Sequence, residues 1–180
     1  MQRLKTLIIA ASVLLAACST SYNITEVELQ HYLNKELSKQ TLQYSGPMGV
    51  ELNLNSAQVT IGSTPNKITL ISDAAIRLET PIMPLQAMLT LQVEAQPYYD
   101  SHKQAIYLKD VELTRFSTTP KQVEWLLQPL SGELSAWLNV ILSGQPIYSL
   151  DQTDWRQDLL GRFGQQINVN PGYLQFILQP

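Results

Sequence analysis

The chain has 180 residues, enough for one domain with a real hydrophobic core, and its composition of 44% hydrophobic and 15% charged residues is typical of a folded protein. Arg3 and Lys5 precede Cys18, and without them ten basic residues face fifteen acidic ones, which leaves a net charge of −5. This acidic balance disfavours nucleic acid and anionic lipid as electrostatic partners.

Residues 1–17 have the pattern of a cleaved secretory signal peptide. A short basic start is followed by an apolar run from Leu7 to Leu15 and then by small residues. The run is too short to cross a bilayer, and no later segment contains the roughly 18 apolar residues that a spanning helix needs. We therefore expect an exported protein without a membrane-spanning helix.

The end of this segment, Leu15-Ala16-Ala17-Cys18, resembles the bacterial lipobox, in which the cysteine is acylated and becomes the first residue. Cys18 is the only cysteine, so lipidation explains both its presence and its isolation in an oxidising compartment. We predict that Cys18 is the lipidation site and that several acyl chains make a stable anchor. By resemblance to the bacterial sorting rule, Ser19 in place of Asp indicates the outer membrane, with the body facing the periplasm.

Residues 18–23 are predicted to form the lipidated N-terminus and a short tether, and residues 24–180 a single domain. Thr25-Glu-Val-Glu28 has the capping-box pattern and predicts a helix that runs to about Gln40. Leu29, Leu33 and Leu37 give this helix one apolar face. A turn at Gly46–Gly49 leads to a strand from Val50.

The alternation of that strand changes phase between Ser56 and Ala57, which predicts a β-bulge. Beyond a turn at Gly62–Asn66, two long antiparallel strands are predicted over Asn66 to Pro97. Apolar residues fall on even positions in the first strand and on odd positions in the second, so each has one buried and one wet face. We expect Pro97 to end the second strand.

A polar turn at Asp100–Gln104 and a strand from Ala105 to about Phe116 complete a predicted meander. Thr119 is then predicted to cap a long helix with Pro120 at its first position, interrupted and kinked by Pro129 and Gly132 and closed at Ser143-Gly144. A last helix is predicted to begin at Asp151, with Trp155, Leu159 and Phe163 on one face and Gly164 as its stop. Two short strands around the turn Asn170–Gly172 end the chain.

Motifs for catalysis are missing from the sequence. The two histidines, His31 and His102, are predicted to be solvated, and no HExxH, Cys/His, GxSxG or phosphate-loop spacing occurs. Asp100 and Asp110 could approach each other across strands, but a turn residue and a strand-edge charge are the simpler interpretation. We therefore predict no enzymatic activity, no metal site and no cofactor.

Several strings of residues resemble the YceB-like family of bacterial lipoproteins, in the same order over nearly the whole mature chain. They are Ile24-Thr-Glu26, Pro65-Asn-Lys-Ile-Thr-Leu70 with Asp73-Ala74, Ala105-Ile-Tyr-Leu-Lys109, Gln145-Pro-Ile-Tyr148 and Asn168-Val-Asn-Pro-Gly172. The resemblance implies a membrane-associated lipoprotein. It also implies the tubular lipid-binding architecture of the bactericidal permeability-increasing type, in which a long curved antiparallel sheet wraps helices lengthwise.

We therefore expect an α+β fold, with a long, strongly curved antiparallel β-sheet wrapped around the long kinked helix Pro120–Leu142, an N-terminal helix and a short C-terminal helix. The predicted function is a non-enzymatic periplasmic module that binds an apolar ligand such as a lipid or an acyl chain. The alternative is an adaptor that docks onto another envelope protein by a sheet edge or an apolar patch. The residues predicted to line the apolar interior are Leu70, Ile76, Leu78, Met88, Leu89, Leu91, Leu127, Leu130, Leu134, Trp137 and Ile141.

Overall fold

The computed structural model describes residues 22–37, 41–45, 49–79 and 83–178. The predicted signal peptide, Cys18, most of the Gly46–Gly49 turn and residues 80–82 lie outside this part. The elements, in chain order, are β1 (Tyr22–Thr25), α1 (Glu26–Leu37), β2 (Thr41–Ser45), β3 (Gly49–Ile61), β4 (Ile68–Leu78), β5 (Leu85–Asp100), β6 (Ala105–Thr119), α2 (Gln122–Leu127), a 3-10 turn (Gln128–Leu130), α3 (Ser131–Gly144), β7 (Tyr148–Ser149), α4 (Trp155–Phe163), β8 (Gly164–Asn170) and β9 (Tyr173–Leu178).

The larger sheet is the predicted antiparallel meander, with strand order β2-β3-β4-β5-β6-β7. Its centre is the pair β4 and β5, whose register runs from Ile68 opposite Ala95 to Leu78 opposite Leu85. The even positions of β4 and the odd positions of β5 carry the buried side chains, as the alternation predicts. The sequence analysis missed β2, which pairs with the first residues of β3.

The predicted bulge lies in β3, where the register with β4 shifts between Leu54 and Ser56. The extra residue restores the phase, so Leu52 before the bulge and Ala57, Val59 and Ile61 after it are all buried on the same face.

The prediction that Pro97 ends the second strand is wrong. β5 continues to Asp100, and Pro97 lies opposite Leu108 of β6. Pairing of β4 with β5 stops at Ala95, so at Pro97 the strand no longer has β4 beside it. A proline can occupy such a one-sided position because no ladder partner requires its missing N–H.

The long helix after β6 is interrupted, as Pro129 predicts: α2, the 3-10 turn that contains Pro129, and α3 follow one another. The prediction that Gly132 also interrupts the helix is wrong, because Gly132 lies within the first turn of α3. The predicted start of this helix is wrong. Thr119 is the last residue of β6, paired with Met88, and α2 begins at Gln122 without a side-chain cap at Lys121. Strand pairing therefore extends through the residue that was expected to cap the helix.

The second sheet is small, with strand order β1-β9-β8. Tyr22 and Asn23, which the sequence analysis assigned to the tether, form the first half of β1. The prediction that Asp151 begins the last helix is also wrong. The N-cap of α4 is Asp154, whose carboxylate accepts from Arg156 N at 2.9 Å, while Asp151 accepts two hydrogen bonds from Thr153 in the preceding turn.

Helix α1 lies along the part of β3 that β2 does not cover. Its side chains Glu26, Gln30 and Asn34, one turn apart, accept hydrogen bonds from the β3 N–H groups of Ile61 (2.7 Å), Val59 (3.4 Å) and Ala57 (2.7 Å) respectively. Thr25 caps the helix as predicted, since its hydroxyl accepts from Glu28 N at 3.3 Å. The helix thus satisfies backbone donors that would otherwise be an open sheet edge.

Side chains of helix α3 accept hydrogen bonds from backbone N–H groups of β6 in the same way. Asn139 accepts from Val111 N at 3.1 Å, and Ser135 accepts from Leu113 N at 3.4 Å. The parts of β3 and β6 that β2 and β7 leave unpaired therefore each carry a helix. In both cases helix side chains four residues apart accept hydrogen bonds from strand N–H groups two residues apart.

Two apolar clusters fill the space between the sheet and the helices. The hairpin cluster lies between α2 and the adjoining ends of β4 and β5, and contains Leu52, Ala74, Ile76, Leu78, Ala87, Leu89, Leu91, Val123 and Leu127. The larger cluster joins α1, α3, α4 and the small sheet to the other half of the large sheet, and its members include Leu70, Val93, Leu134, Leu138 and Phe176.

Candidate functional site

An apolar pocket of about 40 Å³ lies between the inner face of the large sheet and α3. It is placed where the hairpin cluster meets the larger cluster. Its lining residues are Leu52, Leu54, Ala57, Leu70, Ser72, Leu91, Val93, Leu138 and Leu142. One water molecule needs roughly 10–15 Å³ of such space, so the pocket has room for about three water molecules or for a short apolar group.

The pocket exists because two small side chains meet on the inner face. The bulge in β3 turns Ala57 inward, and the register places Ala57 directly opposite Ser72 of β4. On the other side of Ser72, the register places Leu91 of β5. This pair contributes only a methyl and a hydroxymethyl group to the inner face, and the adjacent inward pair on one side, Leu54 opposite Ala74, also has a small side chain in β4. The pocket is the space that remains between these small side chains and α3.

Ser72 is the polar residue in this lining, and its hydroxyl is satisfied within the sheet. Its Oγ donates to the Ser56 carbonyl at 2.7 Å, at the bulge. The hydroxyl is therefore held back towards the strands, and the surface that the pocket offers is almost wholly apolar. Such a surface suits a hydrocarbon group better than water.

The pocket reaches the surface between β3 and α3, because Leu54 and Leu142 in its lining are only partly buried. On this side α3 meets the sheet through apolar side chains. On the far side, α3 is bonded to β6 by Asn139 and Ser135. An outward rotation of α3 about its β6 side would lengthen the pocket without breaking those bonds.

The predicted site residues are distributed over the whole interior. Leu70 and Leu91 line the pocket. Ile76, Leu78, Leu89 and Leu127 are buried in the hairpin cluster, and Leu134 is buried in the larger one. Trp137 and Ile141 are partly exposed, and the side chain of Leu130 lies outside the described part of the structure.

The prediction for Met88 is wrong. This residue is 47% exposed and lies on the outer face of β5, in a surface hollow of about 470 Å³ that it shares with Glu51, Arg77 and Gln86. The physical reason is the alternation itself, since Met88 occupies an even position in a strand whose odd positions point inward.

Seven pocket residues were not predicted: Leu52, Leu54, Ala57, Ser72, Val93, Leu138 and Leu142. The phase slip at Ser56 and Ala57 marked the correct place in β3. The pairing of Ala57 with Ser72, however, depends on the register between strands, which the sequence does not display directly.

A second feature is a polar cluster where α1, β1, β7 and α4 meet. The Tyr148 hydroxyl donates to Glu28 Oε1 at 2.6 Å, and the Tyr22 hydroxyl lies 3.4 Å from the same oxygen. Gln157 Nε2 donates to the hydroxyl oxygens of both Tyr22 (3.2 Å) and Tyr148 (3.3 Å). The Gln157 carbonyl accepts from Asp151 N at 2.6 Å, so this side chain is bonded at both ends.

The environment of this cluster keeps its phenols neutral. Burial, followed by the hydrogen bond to Glu28 and the Glu28 charge, raises the pKa of Tyr148 far above its ordinary value. Burial and then the charge of Glu28 also raise the pKa of Tyr22. A phenol that resists ionisation is a poor general base at neutral pH, so the cluster is suited to holding elements together.

The carboxylates considered for catalysis have local roles. Asp100 accepts from the N–H groups of His102 (3.0 Å) and Lys103 (3.1 Å) and so builds the turn before β6. Asp110 is exposed in the bulged part of β6, at a φ of 52°. In the described ranges, no three His, Cys, Asp or Glu side chains are grouped so that they could hold a metal ion. Nor does any helix there have both the length and the apolar character needed to cross a membrane.

The fold and the site define a mixed α+β protein with a large antiparallel sheet, few helices and an apolar pocket between the two. The chain belongs to the family described as "Protein of unknown function (DUF1439)", whose profile matches residues 24–173.

Among curated proteins, the chain is similar to two that are both named "Uncharacterized lipoprotein YceB". The protein from Salmonella typhimurium is 28% identical over 169 residues, which are 91% of each chain. The protein from Escherichia coli is 28% identical over 164 residues, which are 88% of each chain. The resemblance to the YceB-like family, stated from short strings of residues, is thereby confirmed.

Among solved structures, the chain matches one titled "Crystal structure of lipopolysaccharide binding protein", at 12% identity and a TM-score of 0.35. The match covers 88% of this chain, which spans about half of the other, 48%. This similarity is too low to support an argument about architecture or ligand.

Two of the strings that carry the family resemblance, Ile24–Glu26 and Asn168–Gly172, meet beside the turn that follows β3. Glu26 N donates to the Gly172 carbonyl at 3.2 Å, and Gly172 N donates to the Ile61 carbonyl at 2.9 Å. At Gly62, with φ at +76°, an added Cβ would lie 2.8 Å from the Asn170 carbonyl oxygen. These two strings therefore help to hold the start of α1, the turn between β8 and β9 and the end of β3 together, which is a structural role.

Proposed function

We propose that this chain is a lipoprotein of the outer membrane, anchored through Cys18, with a periplasmic body that binds an apolar ligand such as a lipid or an acyl chain and catalyses no reaction. The anchor is supported by the lipobox-like sequence and by the lipoprotein names of the two relatives. The signal peptide at residues 1–17 and the tether belong to the same proposal.

The observation that carries the binding proposal is the apolar pocket at the Ala57–Ser72 rung. At about 40 Å³ it accepts only a short apolar group. A longer chain enters when α3 turns outward about its β6 side, and the sheet then curves around the interrupted helix as a tube. The 3-10 turn at Pro129 separates α3 from α2, so α3 can move while α2 stays packed in the hairpin cluster.

The test is native mass spectrometry, with lipid extraction, on the body from Ser19 onward secreted to the periplasm. A co-purifying lipid near one-to-one stoichiometry is expected. A bare protein mass that remains unchanged when phospholipids and fatty acids are added would contradict the binding proposal.

Two matched variants locate the ligand. Ala57→Val adds two methyl groups inside the pocket, whereas Ala75→Val adds the same groups on the outer face of β4. Ala57→Val should lose most of the bound lipid, and Ala75→Val should keep it. Filling the pocket can stabilise the fold by up to about 1.6 kcal/mol, so lost binding is not explained by unfolding if stability is maintained. Equal lipid occupancy in both variants would exclude this pocket as the site.

No observation favours the adaptor alternative at the parts of β3 and β6 that neighbouring strands leave unpaired. The edge donors at Ala57, Val59 and Ile61 of β3, and at Val111 and Leu113 of β6, are already hydrogen-bonded to helix side chains. An added strand would have to displace a helix there.

A further inference from the structure

The outer face of α4 exposes two large apolar side chains beside the ion pair of Arg162 with Asp158. Trp155 is 68% exposed and Leu159 is 43% exposed, and the two are four residues apart, so they lie on one side of the helix. The opposite side is buried through Gln157 and Leu160. The guanidinium of Arg156 lies 5.4 Å from the centre of the Trp155 ring. An exposed tryptophan and leucine with an adjacent arginine are typical of helices that lie at a lipid–water interface.

Helix α4 is also next to the first residue of the folded body. Gln157 Nε2 donates to the Tyr22 hydroxyl at 3.2 Å, and the charge of Asp154, after burial and Glu28, contributes to the raised pKa of Tyr22. Tyr22 follows Cys18 by four residues, which can span at most about 14 Å. A lipid on Cys18 therefore holds this corner of the molecule close to the membrane surface.

The other strongly exposed tryptophan lies at the opposite end. Trp125 of α2 is 82% exposed, and its helix packs on the adjoining ends of β4 and β5 through Val123 and Leu127. Tyr22, by contrast, contacts Phe176, which in turn contacts Tyr99 near the far end of β5. The fourteen steps from Leu85 to Tyr99 make a path of about 45 Å along the strand. The short tether therefore holds the Tyr22 end of the body near the membrane surface and places no such constraint on the Trp125 end.

We propose that Trp155 and Leu159 of α4 insert into the interfacial layer of the membrane that holds Cys18, so that the α4 end of the body rests on the bilayer and the α2 end points away from it. This inference rests on the proposed lipid anchor. The tryptophan and leucine side chains enter the region below the headgroups, and Arg156 remains at the level of the phosphates. The α3–β3 mouth of the pocket then has a fixed orientation relative to the membrane.

The test uses the full lipidated chain in vesicles of phosphatidylethanolamine and phosphatidylglycerol that contain brominated phosphatidylcholine as a quencher. One variant keeps Trp155 as its only tryptophan (Trp125→Phe with Trp137→Phe), and its matched control keeps Trp125 (Trp137→Phe with Trp155→Phe). Emission from Trp155 should shift to shorter wavelength and be quenched by the brominated lipid. Emission from Trp125 should show neither change.

A second pair of variants tests the surface itself. In the chain with Trp155 alone, Leu159→Glu should weaken the quenching, whereas Val140→Glu, at a residue of α3 that is 72% exposed, should leave it unchanged. Because Phe at position 137 alters a partly buried site, hydrogen exchange on the unsubstituted chain provides an independent measurement. Amides of residues 155–163 should exchange more slowly on vesicles than in detergent, and those of residues 122–127 should not.

The outcomes separate this inference from the anchor. Vesicle-bound, lipidated protein with unquenched Trp155 and unchanged exchange in α4 would overturn the α4 contact and leave the anchor intact. A mature N-terminal peptide without acyl mass would overturn the anchor and, with it, the inference that depends on it.

Discussion

Replacing Tyr148 by Phe tests whether the polar cluster holds the small sheet, α1 and α4 together. The change removes one oxygen atom, which donates to Glu28 at 2.6 Å and accepts from Gln157 at 3.3 Å. Phe keeps the ring, and hence its packing against Tyr32 at 5.2 Å between centroids. The variant therefore isolates the hydrogen bonds.

The expected loss of stability depends on which hydrogen bonds Glu28 and Gln157 keep after the substitution. A hydrogen bond to a charged acceptor contributes about 1.5–3 kcal/mol. Glu28 retains the Tyr22 hydroxyl at 3.4 Å, and Gln157 retains the Tyr22 oxygen at 3.2 Å, so neither group is left alone. We expect Tyr148→Phe to lower the free energy of unfolding by about 2 kcal/mol at pH 7, with an unchanged slope in urea.

The difference in the free energy of unfolding between the unsubstituted protein and Tyr148→Phe should become smaller at alkaline pH. The pKa of Tyr148 is raised in the folded state, so its stabilising contribution is complete below about pH 10, where the unfolded tyrosine is also neutral, and is lost as the pH rises from there towards the folded pKa. Above about pH 10 the gap should close by at most about 1.4 kcal/mol per pH unit.

The matched control is Tyr99→Phe. Within the described residues, the buried Tyr99 hydroxyl has no hydrogen-bond partner, so its removal should be neutral or should stabilise the fold by up to about 1 kcal/mol at pH 7. Urea unfolding of both variants, on the secreted body from Ser19, gives the comparison. Equal effects of the two substitutions, or a cost for Tyr148→Phe below about 0.5 kcal/mol, would refute the role assigned to the cluster.

Three further predictions concern other parts of the chain. Asn34→Leu should lower the free energy of unfolding by about 2–4 kcal/mol, because the N–H and C=O of Ala57, which are bonded to the Asn34 side chain at 2.7 and 3.0 Å, lose these hydrogen bonds. An unchanged midpoint of urea unfolding would contradict this prediction. Gly62→Ala should lower the free energy of unfolding by about 2 kcal/mol or more, because φ is +76° and the new Cβ would lie 2.8 Å from the Asn170 carbonyl oxygen. Gly132→Ala, which has open space around it in α3, should raise the thermal midpoint slightly, and the reverse order of the two variants would be inconsistent with the structure. Cys18→Ala should leave the precursor unprocessed or release the body from membranes, and an unaltered membrane fraction would exclude the anchor.

Much of the large sheet could be predicted because its faces are encoded by alternation within single strands. The inward residues of β4 and β5 follow directly from their positions, and the phase slip at Ser56 correctly predicted the bulge. The same rule, applied consistently, would have excluded Met88 from the interior. Boundaries were harder, since Asp151 and Asp154 can both cap a helix, and only the competing bonds from Thr153 decide between them.

The pocket could not be predicted because it depends on residues that are distant in the sequence. Ala57, Ser72 and Leu91 become neighbours only through the pairing of three strands. Ser72 interrupts an otherwise apolar stripe, and that interruption is the signal that a reader of the sequence could have used. The polar cluster is equally non-local, because Tyr22 and Gln157 are 135 residues apart.

The side-chain ladders at the sheet edges limit how long this fold can be. Four residues of helix advance about 6.0 Å and two residues of strand about 6.6 Å, so each successive hydrogen bond between helix and strand adds a mismatch of about 0.6 Å. The ladder on β3 has three rungs and that on β6 has two, which keeps the accumulated offset within the tolerance of a hydrogen bond. If such a helix and its strand were both lengthened, the added side chains could no longer form these hydrogen bonds. A single residue inserted into α1 would rotate the side chains that follow it away from β3. Changes in length are therefore confined to the turns.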